Sequence, residues 1–226
     1  MPNVIKYRVT DSEPMDIEGG SFTLWEEFYN ASIRLLKMEK YSEAKRLAKK
    51  SLNEAIDVYG PSHSTSGMSL FLLGLISQFQ ADFSQAESFY EKALSIFEKV
   101  FSGKDTVVLN VLQNLAFVYQ SQGKYPEAEQ LYKRVLRIKE EDYGKENCQI
   151  ISILCSLANL LKEMKKFDES EELYTRALQI LIHEYGPDHP QIGDIYINLH
   201  NIYSILNKRE EDKQLYNFLK KHSDYF

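Results

Sequence analysis

Histidine and aspartate side chains follow a glycine and a proline in the run "YGPDHP", which begins at Tyr185. Imidazole and carboxylate groups are common zinc ligands, and a loop of this kind could serve metal binding or catalysis. A second run, "YGPSHS", begins 126 residues earlier at Tyr59 and places His63 at the position equivalent to His189. A catalytic loop would occur once, and no second ligand group stands at a zinc-like spacing. We therefore interpret the run as a joint between structural units and expect no metal, no cofactor and no catalytic residue.

Composition limits the class of protein further. Hydrophobic residues make up 43% of the 226 residues, and no apolar run approaches the length of about 18 that a membrane span needs. The start of the chain has the pattern of neither a signal peptide nor a transit peptide. The net charge of -6 provides no general attraction to nucleic acid. We expect a cytoplasmic protein that binds neither membranes nor nucleic acid, with Cys148 and Cys155 as free thiols.

The chain repeats itself with a period of 42 residues. Five segments share one pattern: "KYSEAKRLAKKSL", "DFSQAESFYEKAL", "KYPEAEQLYKRVL", "KFDESEELYTRAL" and "KREEDKQLYNFLK". Their second residues, spaced by 42, are Tyr41, Phe83, Tyr125, Phe167 and Arg209. Uninterrupted repeats predict one array, which follows an N-terminal arm of residues 1–20. The predicted repeats are about 21–60, 61–102, 103–144, 145–186 and 187–224.

Each repeat is predicted to be a pair of helices. Apolar residues recur at intervals of three or four, as at Leu112, Leu115 and Tyr119. Small residues occupy the middle of each first helix and the start of each second helix, where two helices can approach closely. These residues are Ser32, Gly74, Ala116 and Ala158 in the first helices and Ala44, Ala86, Ala128 and Ser170 in the second helices. The predicted fold class is all-α.

This pattern resembles the tetratricopeptide repeat. The consensus of that family is matched by Leu115, Ala116, Tyr119, Tyr125, Ala128 and Tyr132, with Val135 as a substitution at the last position. The period exceeds the usual length of about 34 residues, and together with "GKYPEAEQLYKRVLRI" and "YGPDHPQI" it is similar to the kinesin light chain and nephrocystin subtype. The resemblance covers about residues 21–222. It implies a right-handed α-solenoid of about five helix pairs, whereas HEAT repeats do not predict the aromatic-x-x-Ala signature.

The resemblance also implies a concave groove, lined by the first helices, that holds a peptide or a helix of another protein. The implied groove residues are Met68, Phe71, Leu72 and Leu75; Asn110, Gln113, Asn114 and Phe117; Ser152, Cys155, Ser156 and Asn159; and Asp194, Ile197, Asn198 and Asn201. The groove thus changes from apolar to amide-rich along the array. Asn114, Asn159 and Asn201 are predicted to hold the backbone of an extended ligand, because an amide both donates and accepts. Alternatively, some of these amides pair with neighbouring helices.

Positive charge is concentrated outside the groove. Chaperone-binding members of the family clamp a carboxylate with basic groove residues, which are replaced here by Asn, Ser, Phe and Leu, so a co-chaperone role is not expected. The basic cluster of the first repeat comprises Arg34, Lys37, Lys40, Lys45, Arg46, Lys49 and Lys50. We interpret it either as a solvated outer face or as a surface for an acidic partner. The four acids of residues 11–18 either dock in cis over the first helices or belong to a disordered tail.

Two functional hypotheses follow from these features. The first is a non-catalytic scaffold or adaptor that binds a peptide or helix of a partner protein in the groove. The second is a structural subunit of a larger assembly, such as a cytoskeletal or ciliary complex, that uses its outer faces and ends. Apolar residues keep helical spacing up to the C-terminal end, which favours self-association or a partner there. These residues are Leu215, Tyr216, Phe218 and Leu219.

Overall fold

The computed structural model describes residues 23–222, and all regular elements within this range are helices. They form five consecutive pairs: α1 (Leu24–Lys37) and α2 (Tyr41–Tyr59), α3 (Ser64–Phe79) and α4 (Phe83–Val100), α5 (Thr106–Ser121) and α6 (Tyr125–Tyr143), α7 (Ile151–Glu163) and α8 (Phe167–Tyr185), and α9 (Gln191–Leu206) and α10 (Arg209–His222). A short 3-10 helix, Cys148–Ile150, precedes α7. The second helix of each pair begins at one of the residues that are spaced by 42 in the sequence. The predicted all-α solenoid is confirmed, and the arm of residues 1–20 lies outside the described residues.

Three of the four joints between the described repeats depend on glycine. Gly60, Gly144 and Gly186 follow α2, α6 and α8 with φ values of 93°, 91° and 80°. Their ψ values of 160°, 161° and 171° are extended, so these glycines lie outside the left-handed helical region, where ψ is about 30–60°. This combination of a positive φ and an extended ψ is essentially restricted to glycine. It turns the chain away from the helix axis towards the next repeat.

The joint histidines have a structural role. The Nδ1 atom of His63 accepts a hydrogen bond at 3.3 Å from the backbone amide two residues ahead, and the imidazole ring lies 5.0 Å from the ring of Tyr59. His189 repeats both contacts, with the same 3.3 Å hydrogen bond and a centroid distance of 5.0 Å to Tyr185. Each histidine therefore connects the end of one repeat to the first turn of the next helix.

The two helices of a pair touch at small residues. The small positions predicted in repeats 1 to 4 are all buried. In repeat 1 the Ser32 hydroxyl donates to the Ala44 carbonyl oxygen at 2.7 Å. In repeat 4 the direction is reversed, because the Ser170 hydroxyl donates to the Ala158 carbonyl oxygen, also at 2.7 Å. Each serine hydroxyl donates its hydrogen bond to the backbone of the facing helix. The side chain adds little bulk to the contact, so the two helices stay close.

Successive repeats are joined by ion pairs that recur with the same period. Three of the four junctions in the described chain carry a Lys–Glu pair, here called a junction rung: Lys124–Glu87 at 2.7 Å, Lys166–Glu129 at 3.0 Å and Lys208–Glu171 at 2.6 Å. At the first junction the charges are exchanged, because Lys45 occupies the glutamate position and Asp82 the lysine position. The Lys45 amine there donates to the side-chain oxygen of Gln80 at 3.3 Å.

The fifth helix pair departs from the pattern of the others. His200 and Asp212 occupy the two positions that are small in repeats 1 to 4, and Nδ1 of His200 lies 2.9 Å from a carboxylate oxygen of Asp212. Leu219 is the one buried residue of α10. A polar contact has thus replaced the close approach of small side chains, and α10 packs on α9 with little apolar burial.

Candidate interaction groove

The first helices of successive repeats lie side by side. The indole N–H of Trp25 in α1 donates to the hydroxyl of Ser69 in α3 at 2.8 Å. Towards the other end of the array, the amine of Lys162 in α7 donates to the side-chain oxygen of Asn198 in α9 at 2.5 Å. These hydrogen bonds link neighbouring first helices directly, so residues on this side of the helices form a continuous surface.

Accessibility along the predicted groove is uneven. The buried members are Leu72, Leu75, Gln113, Asn114 and Ser156. The half-buried members are Met68, Phe71, Asn110, Phe117, Cys155, Asn159 and Asn198. The exposed members are Ser152, Asp194, Ile197 and Asn201. Three of these four exposed residues belong to α9, so the side chains most free to touch a ligand lie in the last repeat.

The N-terminal part of the groove is apolar and rich in aromatic side chains. The ring of Phe71 packs against that of Tyr90 with a centroid distance of 5.7 Å. Trp25 and Tyr29 stack at 5.1 Å in α1, where burial raises the pKa of Tyr29 to about 12. Phe71 and Met68 keep part of their surface open to solvent. This region can receive apolar side chains of a ligand.

The central amides are used within the fold. The amide group of Asn159 donates to a carbonyl of its own helix at 3.0 Å and accepts a hydrogen bond from the Tyr174 hydroxyl at 2.6 Å. Asn114 is 3% exposed and donates to its own helix at 2.8 Å, while its buried Oδ1 has no partner among the described residues. The three amides are therefore not equivalent, because only Asn201 is exposed, and their role as a ladder for a ligand stays a prediction. Local pairing, the alternative left open by the sequence, applies at Asn159.

The region around Asn159 contains two groups that titrate far from their usual range. Burial raises the pKa of the Cys155 thiol to about 12, and the negative charge of Asp194 adds to this effect. Burial also raises the pKa of the Tyr174 hydroxyl, which donates to Asn159. Both groups stay protonated at neutral pH, and a thiol with a raised pKa is a poor nucleophile. Asn159 and Tyr174 therefore contribute a hydrogen bond to the packing of α7 against α8.

The exposed face of α9 is the most accessible part of the groove. Asp194, Ile197, Asn201 and Ile205 recur at helical spacing and are all exposed, the two isoleucines by 57% and 53%. Ile205 is not among the groove residues predicted from the sequence, although its spacing of eight residues from Ile197 places both on one side of the helix. We call these four residues the α9 stripe. Apolar and hydrogen-bonding groups alternate along it.

The basic residues of the first repeat do not act as one group. Lys45 is half-buried at the junction with repeat 2, where it contacts Gln80. The amine of Lys50 lies 5.2 Å from the ring centroid of Phe28 in α1. The remaining members are exposed: Arg34, Lys37, Lys40, Arg46 and Lys49. A surface for an acidic partner would therefore depend on the exposed cations more than on Lys45.

Other kinds of site have less support within residues 23–222. In this range no group of three His, Cys, Asp or Glu side chains is arranged to hold a metal ion. No helix of the range is both long and apolar enough to cross a membrane. A shallow pocket lies between α4, α5 and α6, and its lining includes Leu94, Leu115 and Tyr119. This pocket is part of the packing between repeats 2 and 3.

Comparison with known proteins decides the family. The model of the tetratricopeptide repeat matches residues 28–99, 70–141 and 149–217. The chain belongs to the tetratricopeptide repeat family. No curated protein matches the sequence of this tetratricopeptide repeat protein significantly.

Solved structures share the fold of this tetratricopeptide repeat protein. The putative kinesin light chain TPR-like repeats of Podosopora anserina have 18% identity and a TM-score of 0.76, over 89% of this chain and 96% of that chain. BtubC (BKLC) from P. vanneervenii has 21% identity and a TM-score of 0.75, over 87% and 78%. The apo form of RapI has 11% identity and a TM-score of 0.75, over 88% and 69%. The fold of the kinesin light chain-like repeat type, indicated by the 42-residue period, is confirmed.

Proposed function

We propose that the protein is a non-catalytic scaffold that holds an extended segment of a partner protein in the groove of its first helices. The α9 stripe is the observation that carries this proposal. An isoleucine that is 57% exposed, between a carboxylate and an amide, suits contact with both an apolar side chain and the backbone of a ligand. The match to a family of interaction scaffolds supports protein binding as the general function.

The proposed ligand contacts differ along the groove. Half-buried Met68, Phe71 and Phe117 offer apolar surface in repeats 2 and 3. Polar contacts follow in repeats 3 to 5, from Asn110, Ser152 and the α9 stripe. Gln113, Asn114, Ser156, Asn159 and Asn198 support these contacts from within the fold, because they are buried or already hydrogen-bonded. We therefore expect a ligand whose apolar side chains precede or follow a stretch held mainly by its backbone.

A comparison of two variants tests this proposal. A partner is first captured from the source cell with the wild-type protein and identified by mass spectrometry. The groove variant combines Asp194→Ala, Ile197→Ala and Asn201→Ala, and the outer-face variant combines Arg46→Glu and Lys49→Glu. Each lost hydrogen bond weakens binding by about 0.5–1.5 kcal/mol. With the apolar contact included, the groove variant should bind about 10- to 1000-fold more weakly, at about 1.4 kcal/mol per decade.

The same experiment separates the two functional hypotheses. The outer-face variant should bind the partner like the wild type, and both variants should melt at the wild-type temperature because the changed side chains are exposed. Loss of binding in the outer-face variant, with retention in the groove variant, would support a structural subunit that assembles through its outer faces. This second hypothesis is supported by the exposed cations Arg46 and Lys49, which an acidic partner could contact.

The remaining predictions concern partners and location. Self-association through the C-terminal end stays a prediction: Tyr216 and Phe218 are exposed there, but so are the polar side chains of Lys213, Asn217 and Lys220. A scaffold of this kind needs no cofactor, and we propose neither nucleic acid nor membrane as its partner. We propose a cytoplasmic location, with cytoskeletal or ciliary association as the form that the structural-subunit hypothesis would take.

A further inference from the structure

The side chains that join one repeat to the next can be identified at the junction of repeats 2 and 3. From repeat 3, Leu115, Tyr119 and Leu131 line the pocket shared with Glu91 and Leu94 of repeat 2. From the same side, Gln122, Lys124 and Arg134 bond back to Glu87 and Glu98. Because the register is constant, the corresponding residues at both ends of the array are found by adding or subtracting multiples of 42.

The N-terminal end exposes an apolar surface that is covered in the inner repeats. Leu24 is 55% exposed, whereas Val108, Ile150 and Ile192 at the equivalent position are fully buried. Met38, equivalent to Gln122, is 61% exposed. The residues that correspond to the junction-facing side of repeat 3 are Ala31, Leu35, Met38, Lys40, Leu47 and Lys50. We call these residues and Leu24 the N-terminal face.

The C-terminal end is different in character. The residues equivalent to Glu87, Glu91 and Leu94, which face the next repeat in the middle of the array, are Lys213, Asn217 and Lys220. All three are exposed and polar. On this side of α10, polar side chains therefore stand where repeat 2 has Glu87, Glu91 and Leu94.

Charge argues against a second copy as the occupant of the N-terminal face. Lys40 holds the lysine position of a junction rung but makes no ion pair with any described residue. A copy stacked head to tail would bring Lys213, at the glutamate position, against Lys40. Two like charges at that position would oppose stacking. The N-terminal face therefore fits an occupant that supplies apolar side chains and a carboxylate that can pair with Lys40.

We infer that residues 1–22 of the same chain cover the N-terminal face. Thr23 alone separates them from Leu24, and a tether this short keeps their local concentration high, in the millimolar range for short linkers. At about 3.3 Å per residue they are long enough to cross the 14-residue helix α1 more than once. They supply apolar side chains at Val4, Ile5, Tyr7 and Val9 and carboxylates at Asp11, Glu13, Asp16 and Glu18. This inference is independent of the groove function.

Hydrogen exchange of the full-length chain, read by mass spectrometry, tests this inference. The variant Val4→Ser/Ile5→Ser/Val9→Ser changes no residue of the described fold and removes the apolar contacts of the cover. Amides of α1 and α2 should then exchange about tenfold faster, as expected when a cover worth about 1.4 kcal/mol is lost. Amides of α9 and α10 should be unchanged. Equal exchange of α1 and α2 in the variant and the wild type would overturn the inference.

Two further arms identify the occupant. Lys40→Glu should also speed exchange of α1 and α2, whereas the control Lys213→Glu, an exposed lysine at the other end, should not. An unchanged Lys40→Glu protein would overturn the ionic part of the inference. Protection by a segment of the same chain is independent of concentration, so it should persist on about hundredfold dilution. Protection that disappears on dilution would assign the face to a second copy and overturn the inference.

Discussion

Repeats 3 and 5 use the same register positions for different purposes. Gln113 in repeat 3 is 5% exposed, whereas Ile197 at the equivalent position in repeat 5 is 57% exposed. Asn114 is likewise buried, and its counterpart Asn198 is half-buried. Repeat 3 has a neighbouring repeat on both sides, so its groove positions Gln113 and Asn114 are buried by packing. Within the described residues repeat 5 has one neighbouring repeat, and there the same positions are more exposed.

The contact between the two helices of a pair shows this difference most strongly. Ala128 in repeat 3 is fully buried, whereas Asp212 at the equivalent position in repeat 5 bonds to the half-exposed ring of His200. Ala128→Leu should overpack repeat 3 and lower the free energy of unfolding by about 3 kcal/mol. Asp212→Ala should lower it by about 1 kcal/mol or less. Denaturant unfolding measures both, and equal losses would contradict the comparison.

Two equivalent glycines provide a test with a single added methyl group. A Cβ at Gly67 would lie 2.6 Å from the Phe97 ring, whereas a Cβ at Gly193 would meet nothing within 4 Å. Gly67→Ala should cost about 1–2 kcal/mol through overpacking. Gly193→Ala should instead stabilise the protein by about 0.5–1 kcal/mol, because alanine favours the helix. Thermal melts of the pair should shift in opposite directions, and a shift in the same direction would refute this reading.

Substitutions of Asn159 and Asn201 should have separate effects, the first mainly on stability and the second mainly on partner binding. Asn159→Ala leaves the buried Tyr174 hydroxyl without its acceptor and should cost about 1–2 kcal/mol of stability. Asn201→Ala should change stability by less than about 0.5 kcal/mol, since the side chain is exposed. Partner binding should follow the opposite order when it is measured below the melting temperature of both variants. A stable Asn159→Ala protein would show that the hydrogen bond to Tyr174 contributes little.

The junction rungs should produce the smallest effect and should depend on pH. Burial acts to raise the pKa of Glu87, but hydrogen bonds from Lys124 and Gln122 outweigh it and lower the pKa below its usual 4.5. Hydrogen bonds from Lys133 and Lys166 likewise lower the pKa of Glu129. A carboxyl whose pKa is lower in the folded state stabilises the fold above the unfolded pKa, and this contribution is lost as pH falls through the folded pKa.

The pH dependence gives a direct measurement of the rungs. Each partly exposed pair is worth about 0–1 kcal/mol at neutral pH. The variant Glu87→Gln/Glu129→Gln should therefore be slightly less stable than the wild type at pH 7. It should lose less of its stability than the wild type does below about pH 4.5, because it has fewer carboxylates to protonate. Parallel stability curves for the two proteins would show that the rungs do not contribute.

The spacing of residues predicted the helix pairs well and the groove only in part. Tyr41, Phe83 and Tyr125 mark helix starts because the period of packing along the chain is the period of the sequence. The burial of Asn114 and the use of Asn159 could not be predicted in the same way. A side-chain hydrogen bond depends on which neighbour lies within about 3 Å, and that is set by helix packing in three dimensions.

The junction rungs and the polar positions of α10 were not predicted from the sequence, although its 42-residue register contains the information needed to find them. The junction rungs repeat Lys and Glu with the same 42-residue period as the aromatic residues, so a charge-based self-comparison would have found Lys124 and Glu87. The polar end of α10 was missed because Leu215 and Leu219 have helical spacing. Only the register shows that Lys213 and Lys220, rather than these leucines, occupy the positions that face a following repeat.

Photo-crosslinking tests the central claim, that the partner lies in the groove at repeat 5, most directly. A photoreactive amino acid replaces Ile197 in one protein and Ile56, an exposed isoleucine of α2, in the control. After irradiation in an extract of the source cell, the account predicts a specific adduct from position 197 that competes with excess unlabelled wild type and is absent from position 56. An adduct from position 56 with none from position 197 would contradict it.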